Sequence, residues 1–371
     1  GTYQHPPYAE KECDSCHRSD QPSADDIVSE TPDLCYNCHD AYEGEFMHSP
    51  SSLGECLICH DPHASDQRFL LNEKEPDLCY LCHDQIEGLM TDKRNATHAP
   101  AVDNCTACHN PHVSEVGSTL LKEQVKPLCT GCHAEEGVDL PVDINGVAYK
   151  HGPLETDSSC LNCHDPHATI FENHLLAEPM DLCLRCHNQE VIAYDGSALT
   201  DINTLLQENK FHHGPIKEKN CSGCHSPHGS DYYRILVADY PNKFYTDTFN
   251  ADDYKLFFSC HESTLLKDSK TTTLTNFRDG DRNLHYLHVN REKKGRTCRA
   301  CHEVHASNHF NHIRDAVPFG KINWPLPLKY QPIYTDMKSG EPCSNPSDTC
   351  VKTGGSCVAC HARKAYDNRA K

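Results

Sequence analysis

A mostly irregular chain with short α-helices, little β-structure and a core that its own side chains do not supply is the fold class this sequence predicts. Three observations predict it. The pattern Cys-x-x-Cys-His occurs eleven times in 371 residues. Hydrophobic residues make up only 37% even with 25 cysteines counted, against 23 prolines and 19 glycines, which is little from which to build a polypeptide core. The motifs also alternate between two contexts, with extra histidines at fixed offsets, and this marks a repeat.

The cysteine pairs are Cys13 and Cys16, Cys35 and Cys38, Cys56 and Cys59, Cys79 and Cys82, Cys105 and Cys108, Cys129 and Cys132, Cys160 and Cys163, Cys183 and Cys186, Cys221 and Cys224, Cys298 and Cys301, and Cys357 and Cys360. The histidines that close them are His17, His39, His60, His83, His109, His133, His164, His187, His225, His302 and His361. Cys-x-x-Cys alone serves zinc or thiol exchange. A zinc site, however, does not need histidine directly after every second cysteine, and a redox domain carries one such pair. Two thiols three positions apart on one turn can add to the two vinyl groups of haem, and the next residue then lies under the iron as an axial imidazole. The expected cofactor is therefore haem c, eleven copies from the intact motifs. Such flat apolar macrocycles would provide the buried surface that the side chains lack. The full expectation is short helices and irregular chain wrapped around a closely packed linear haem array, with a single-turn helix at each motif.

The repeat justifies its elements in order. One motif context follows a leucine in an acidic-proline setting: TPDLCYNCHD at Cys35, EPDLCYLCHD at Cys79, VKPLCTGCHA at Cys129 and EPMDLCLRCHN at Cys183. The other is followed by a third histidine, at His63, His112, His167, His228 and His305. A hydrophobic pair then leads into the next unit, at Leu70-Leu71, Leu120-Leu121, Leu175-Leu176 and Ile235-Leu236. Ahead of the second context stands a histidine in His-x-Pro: His5, His48, His98, His151 and His213, with His288 in that place without the proline. From about His5 to about His305 this pattern resembles the doubled CXXCH motif family of multihaem cytochromes. The resemblance implies that the extra histidines are distal haem ligands and that each iron has two imidazoles. The matching positions are His48, His63, His98, His112, His151, His167, His213 and His228, with His5, His288 and His305 matching less completely. His63 lies three residues after His60, so it cannot easily reach the opposite face of the same haem and is expected at a neighbouring iron. Which distal histidine serves which haem stays open.

Between Cys221 and Cys298 a site of the first context is due, and DDYKLFFSCHE stands there, with Phe257 in place of the first cysteine. Cys260 and His261 remain, and Phe257-Phe258 would suit a macrocycle face. The expectation is a twelfth haem c on one thioether from Cys260, with His261 proximal and His285 or His288 placed as distal ligand. The alternative is a dead site with a free thiol. The first site lacks a following histidine, because Asp20 occupies that place. The twelfth distal ligand is then expected from His174, His212, His285, His309, His312 or another molecule. His309 and His312 are best placed and His312 is taken as the ligand, with His174 and His212 as surface residues.

Residues 1–229 read as compact paired repeats, 230–297 as an expanded repeat with the degenerate site and room for a short hairpin, and 298–371 as C-terminal sites with a proline-rich strap. Together they form one continuous haem-cored domain. The strap is the segment from Trp324 to Tyr334, too proline-rich for helix. Cys343 and Cys350 are expected to form a disulfide. The run from Arg291 to Arg296 reads as a solvated basic loop.

The 54 acidic and 34 basic residues give a net charge of -20, which argues against nucleic acid and anionic membrane surfaces as partners. No stretch approaches a membrane span. Haem attachment to cysteine pairs is done outside the bacterial cytoplasm, and the chain starts at Gly1. The expectation is a mature exported chain without a lipid anchor, extracellular or at the cell surface, with the periplasm as the alternative. Every intact motif ends in histidine and spare histidines outnumber the irons. The expected function is therefore electron conduction along bis-histidine haems, not enzyme catalysis. Expected partners are other redox proteins, extracellular electron acceptors and, in a filament, further copies of this chain, with His5 donated across the subunit boundary. The alternatives are a periplasmic or porin-bound carrier, or a small-molecule reductase with one open iron.

Overall fold

The computed structural model describes residues 1–19, 23–134, 144–193, 195–319 and 324–369, so Asp20 lies outside the described residues. They fall into two compact units, Gly1–Val142 with Pro153–Glu178, and Asp143–Gly152 with Pro179–Lys371. In the first unit, Val125, Ala168 and Ala177 are the buried apolar side chains among the described residues. Three such side chains cannot offset the ordering of so long a segment. The second unit buries more, including Leu206, Tyr254, Leu266, Val289 and Val317.

Helices are short because the repeat keeps stopping them. Motifs of the first context lie on or at the end of α-helices, at Asp33–Tyr36, Asp77–Tyr80, Val125–His133 and Pro179–Leu184. The degenerate site has its own, Lys255–Phe258. Motifs of the second context use tighter 3-10 turns, at Cys13–Ser15, Cys56–Ile58, Cys105–Ala107, Ser159–Asn162 and Cys298–Ala300. In each case the histidine N–H closes on the carbonyl four residues back, as His60 does on Cys56 at 3.0 Å and His225 on Cys221 at 3.1 Å. One turn thus gathers two thiols and an imidazole. The C-terminal motif departs from the expected helical turn, because Cys357 lies on the strand Cys350–Val358.

Most strands are two residues long, and they join one repeat to the next. Tyr3–Gln4 pairs with Ala64–Ser65, Phe46–Met47 with Val113–Ser114, Ala96–Thr97 with Ala168–Thr169, and Phe211–His212 with Ala306–Ser307. Each ladder sets a His-x-Pro histidine beside the third histidine of a following motif. His5 N–H donates to His63 O, His48 to His112, His98 to His167 and His213 to His305, all at 2.8–2.9 Å. A proline one or two residues later then starts the next helix or turn at His5, His48, His98 and His213.

The C-terminal segment is richer in β-structure than an irregular strap. Ala316–Phe319 pairs with Trp324–Pro327, and Lys329–Asp336 enters a four-stranded antiparallel sheet with Pro342–Cys343, Cys350–Val358 and Lys364–Asp367. Proline is tolerated because Pro332 faces Gly355 on one side, while the short strand on the other reaches only Tyr334 and Thr335. Cys343 and Cys350 are disulfide-bonded. In the expanded repeat a hairpin pairs Arg278–Asp279 with Arg282–Asn283. The basic run ends in strand, Gly295–Arg296 pairing with Tyr245–Thr246.

Candidate functional site

Each motif histidine of the second context is aimed by a carbonyl nine or ten residues further on. His17 Nδ1 donates to Asp26 O at 3.2 Å, His60 to Phe69 at 2.9 Å, His109 to Thr119 at 2.8 Å, His164 to Asn173 at 2.8 Å, His225 to Arg234 at 3.0 Å and His302 to Asn311 at 2.7 Å. A carbonyl can only accept, so Nδ1 carries the proton and Nε2 is left as the basic nitrogen. The acceptor turns are held in the left-handed region by residues other than glycine, at Phe69 and Leu70, Leu120, Asn173 and His174, Arg234 and Ile235, and Asn311 and His312. The hydrophobic residue that follows bridges back to the motif histidine, as Leu71 does to His60 and Ile313 to His302. His-x-Pro histidines are oriented in the same way: His48 Nδ1 donates to Pro111 O, His98 to Pro166 and His151 to Pro227, at 2.8–3.0 Å.

Ten motif histidines have a second imidazole across from them, with ring centres 6.0–6.4 Å apart and planes within 25° of parallel. In the first unit the pairs are His39 with His5, His17 with His63, His83 with His48, His60 with His112, His133 with His98, and His109 with His167. In the second they are His187 with His151, His261 with His213, His225 with His305, and His302 with His285. Two metal–imidazole bonds of about 2 Å each, with about 1 Å from each nitrogen to its ring centre, require a centre-to-centre separation of about 6 Å. The residues present therefore fit a group whose metal takes an imidazole on each face. Beside each of these pairs stand the motif thiols, two at an intact motif and Cys260 alone beside His261.

Burial disfavours the charged form of the most enclosed of these imidazoles. It holds His305 down to about 4 and His285 to about 3, with neighbouring histidines adding to the effect. His109, His151, His187 and His225 are lowered from the same first cause.

Successive motifs touch through their thiols. The thiol of Cys79 lies against that of Cys105, Cys129 against Cys160 and Cys183 against Cys221. Burial pushes Cys35 up to about 11, with the neighbouring Cys56 adding to it. Burial raises the Cys59, Cys108, Cys224 and Cys301 thiols, and the nearby Cys82, Cys132, Cys260, and Cys357 with Cys360, respectively add to it. Within each unit, sites consecutive in sequence are thus neighbours in space.

Several sequence expectations change. The first site does not await a ligand from another molecule: His63 faces His17, and His5 faces His39. The degenerate site is faced by His213, not by His285 or His288. His312 faces no motif histidine; it meets His213 edge-on at 5.7 Å, as His174 meets His98 at 5.4 Å. The two occupy the same left-handed turn position in their repeats, and Nδ1 of each is buried without a hydrogen bond. His212 is no surface residue, since its Nε2 bonds to the carbonyls of Leu206 and Asn209. His309 uses Nε2 on Asp315. His285, expected elsewhere, is the imidazole opposite His302; its signal was its place three residues before His288 on one helix.

The doubled CXXCH motif matches residues 5–44, 48–88, 98–138, 151–191 and 213–265. Each match opens on the His-x-Pro histidine and closes just past the motif histidine it faces. The pairs His17 with His63, His60 with His112 and His109 with His167 instead link one match to the next. A protein named multiheme cytochrome MtrA from Shewanella baltica (strain OS185) is 26% identical over 205 residues, 54% of this chain and 53% of that protein. The chain thus spans about half the length of this curated relative.

Proposed function

Because the chain belongs to the doubled CXXCH motif family, we propose that it is a multihaem c-type cytochrome that carries electrons along haems ligated by two histidines each. Bound haem would supply a one-electron centre at each site. The motif cysteines would hold it by thioethers, two per intact motif, and Cys260 alone would hold a twelfth. The motif histidines would be proximal ligands, and the imidazoles that face them the distal ones.

The observation that carries this reading is the recurrence of parallel imidazole pairs about 6 Å apart. Both Nε2 positions at such a pair would be taken by the metal, so an iron there would offer no place for a substrate. That separates conduction from the multihaem reductase, which needs an open position. The adjacent thiols of consecutive motifs support close spacing within each unit.

Among the described residues no helix is long and apolar enough to cross a membrane. With a net charge of -20, docking would favour basic surfaces on other redox proteins. Covalent haem attachment supports use outside the cytoplasm, in extracellular electron transfer or as a periplasmic or porin-bound carrier. A filament draws no support from ligand supply, since His5 and His63 complete the first two pairs within one chain. The carrier is therefore the preferred reading. Intact-mass measurement tests the cofactor assignment: the increment should equal twelve covalent haems, and Cys260→Ala should remove one. A mass without covalent haem would overturn the reading.

A further inference from the structure

The last motif is built differently from the rest. Cys357 lies on a strand, and neither Cys298 nor Cys357 falls inside a matched repeat. His361 still carries the mark of the other motif histidines: its Nδ1 donates to Ala362 O at 2.8 Å, leaving Nε2 basic.

Another histidine of the second unit carries the same mark. His288 donates from Nδ1 to Leu284 O at 2.6 Å. It shares the helix Leu284–Val289 with His285, three positions away and hence on the same face. The segment before that helix is docked on the strand Lys364–Asp367, whose Lys364 pairs with Cys357. Gly280 N–H donates to Asp367 O at 2.7 Å, Asp367 N–H donates to Asp279 Oδ1 at 3.2 Å, and Asn368 Nδ2 donates to Asn276 O at 3.2 Å. Phe277 stacks on His288 at 5.7 Å and meets Tyr366 edge-on at 5.2 Å. Burial holds the His288 imidazole below its ordinary value, and His361 is among the neighbours that lower it further. Of the other histidines of this unit, His212 and His309 use Nε2 in hydrogen bonds and His312 meets the ring of His213 edge-on.

We infer that His288 is the distal ligand of the Cys357–Cys360–His361 site, so that one helical turn serves two consecutive sites, His285 opposite His302 and His288 opposite His361. The inference rests on the haem reading above. In the matched repeats a two-stranded ladder brings two such histidines together. Here a single helix does so, and a displacement of that helix would reach both irons.

The test uses the full haem-loaded protein. His288→Ala should keep the wild-type haem mass, turn one equivalent of haem high-spin, and bind one equivalent of carbon monoxide, with added imidazole restoring the low-spin spectrum. In a Cys357→Ala, Cys360→Ala background, which lacks the C-terminal haem, the same substitution should produce no high-spin signal. A fully low-spin His288→Ala protein would overturn the assignment, and so would a high-spin signal that persists in that background. If the alanine variant loses haem, His288→Met decides: one haem of His/Met ligation with a raised potential supports the assignment, and an unchanged bis-imidazole spectrum overturns it. Wild-type protein without covalent haem would instead overturn the haem reading itself.

Discussion

What an imidazole here can do is set by its other nitrogen. Where Nδ1–H is held by a carbonyl, as at His60, His109 and His302, Nε2 is basic and pre-aimed, which sharpens a ligand before any metal arrives. Where Nε2 is consumed, as at His212, the residue is structural. On this logic His63→Ala should leave the haem count unchanged and make only the iron at His17 five-coordinate, read as one equivalent of high-spin haem; loss of low-spin character at His60 instead would refute the pairing. The buried pairs should also resist acid. His285 and His305 sit at about 3 and about 4, below the ordinary value of about 6.5, so the fold favours their neutral forms. That contribution is fully present above the ordinary value and is lost as pH falls through the folded values. In the haem-free chain these two imidazoles should therefore stay neutral from pH 7 to about pH 5, and titration of either near pH 6 would contradict their burial.

At the scale of elements, the working parts are a turn and a ladder too small to announce themselves. The thiols, the motif histidines and the reach of His63 to a neighbouring site were legible, because covalent spacing is written directly in the chain. The ladders were not, since two residues cannot display a period-2 pattern. Nor were the left-handed turns, because Phe69, Leu70 and Arg234 stand where glycine or asparagine would be the ordinary signal. Context overrides propensity there: the turn that aims a carbonyl at the imidazole is also the bridge to Leu71 or Leu236. Asn311, at a φ of 57°, makes the point testable. Asn311→Gly should be tolerated, whereas the β-branched Asn311→Val should cost about 1–3 kcal/mol in a urea unfolding titration and loosen the orientation of His302. Equal stability of the two variants would show that the turn does not depend on its backbone conformation.

At the scale of the molecule, the described residues of the first unit form almost no apolar core of their own, and what they do form is a series of imidazole pairs with thiols beside them. Composition made that deficit visible. The pairing scheme was beyond it, because partners such as His17 with His63, or His60 with His112, are joined only by chain folding between repeats. Extended from the ten observed pairs to every site, the scheme makes one claim: each iron would be completed from within one chain. Spin-state and carbon monoxide titration of the intact, haem-loaded protein at neutral pH tests that most directly. The account predicts a purely low-spin spectrum in dilute monomeric protein and no carbon monoxide bound on mixing. A stoichiometric high-spin haem in the monomer, or rapid uptake of carbon monoxide at any site, would contradict it.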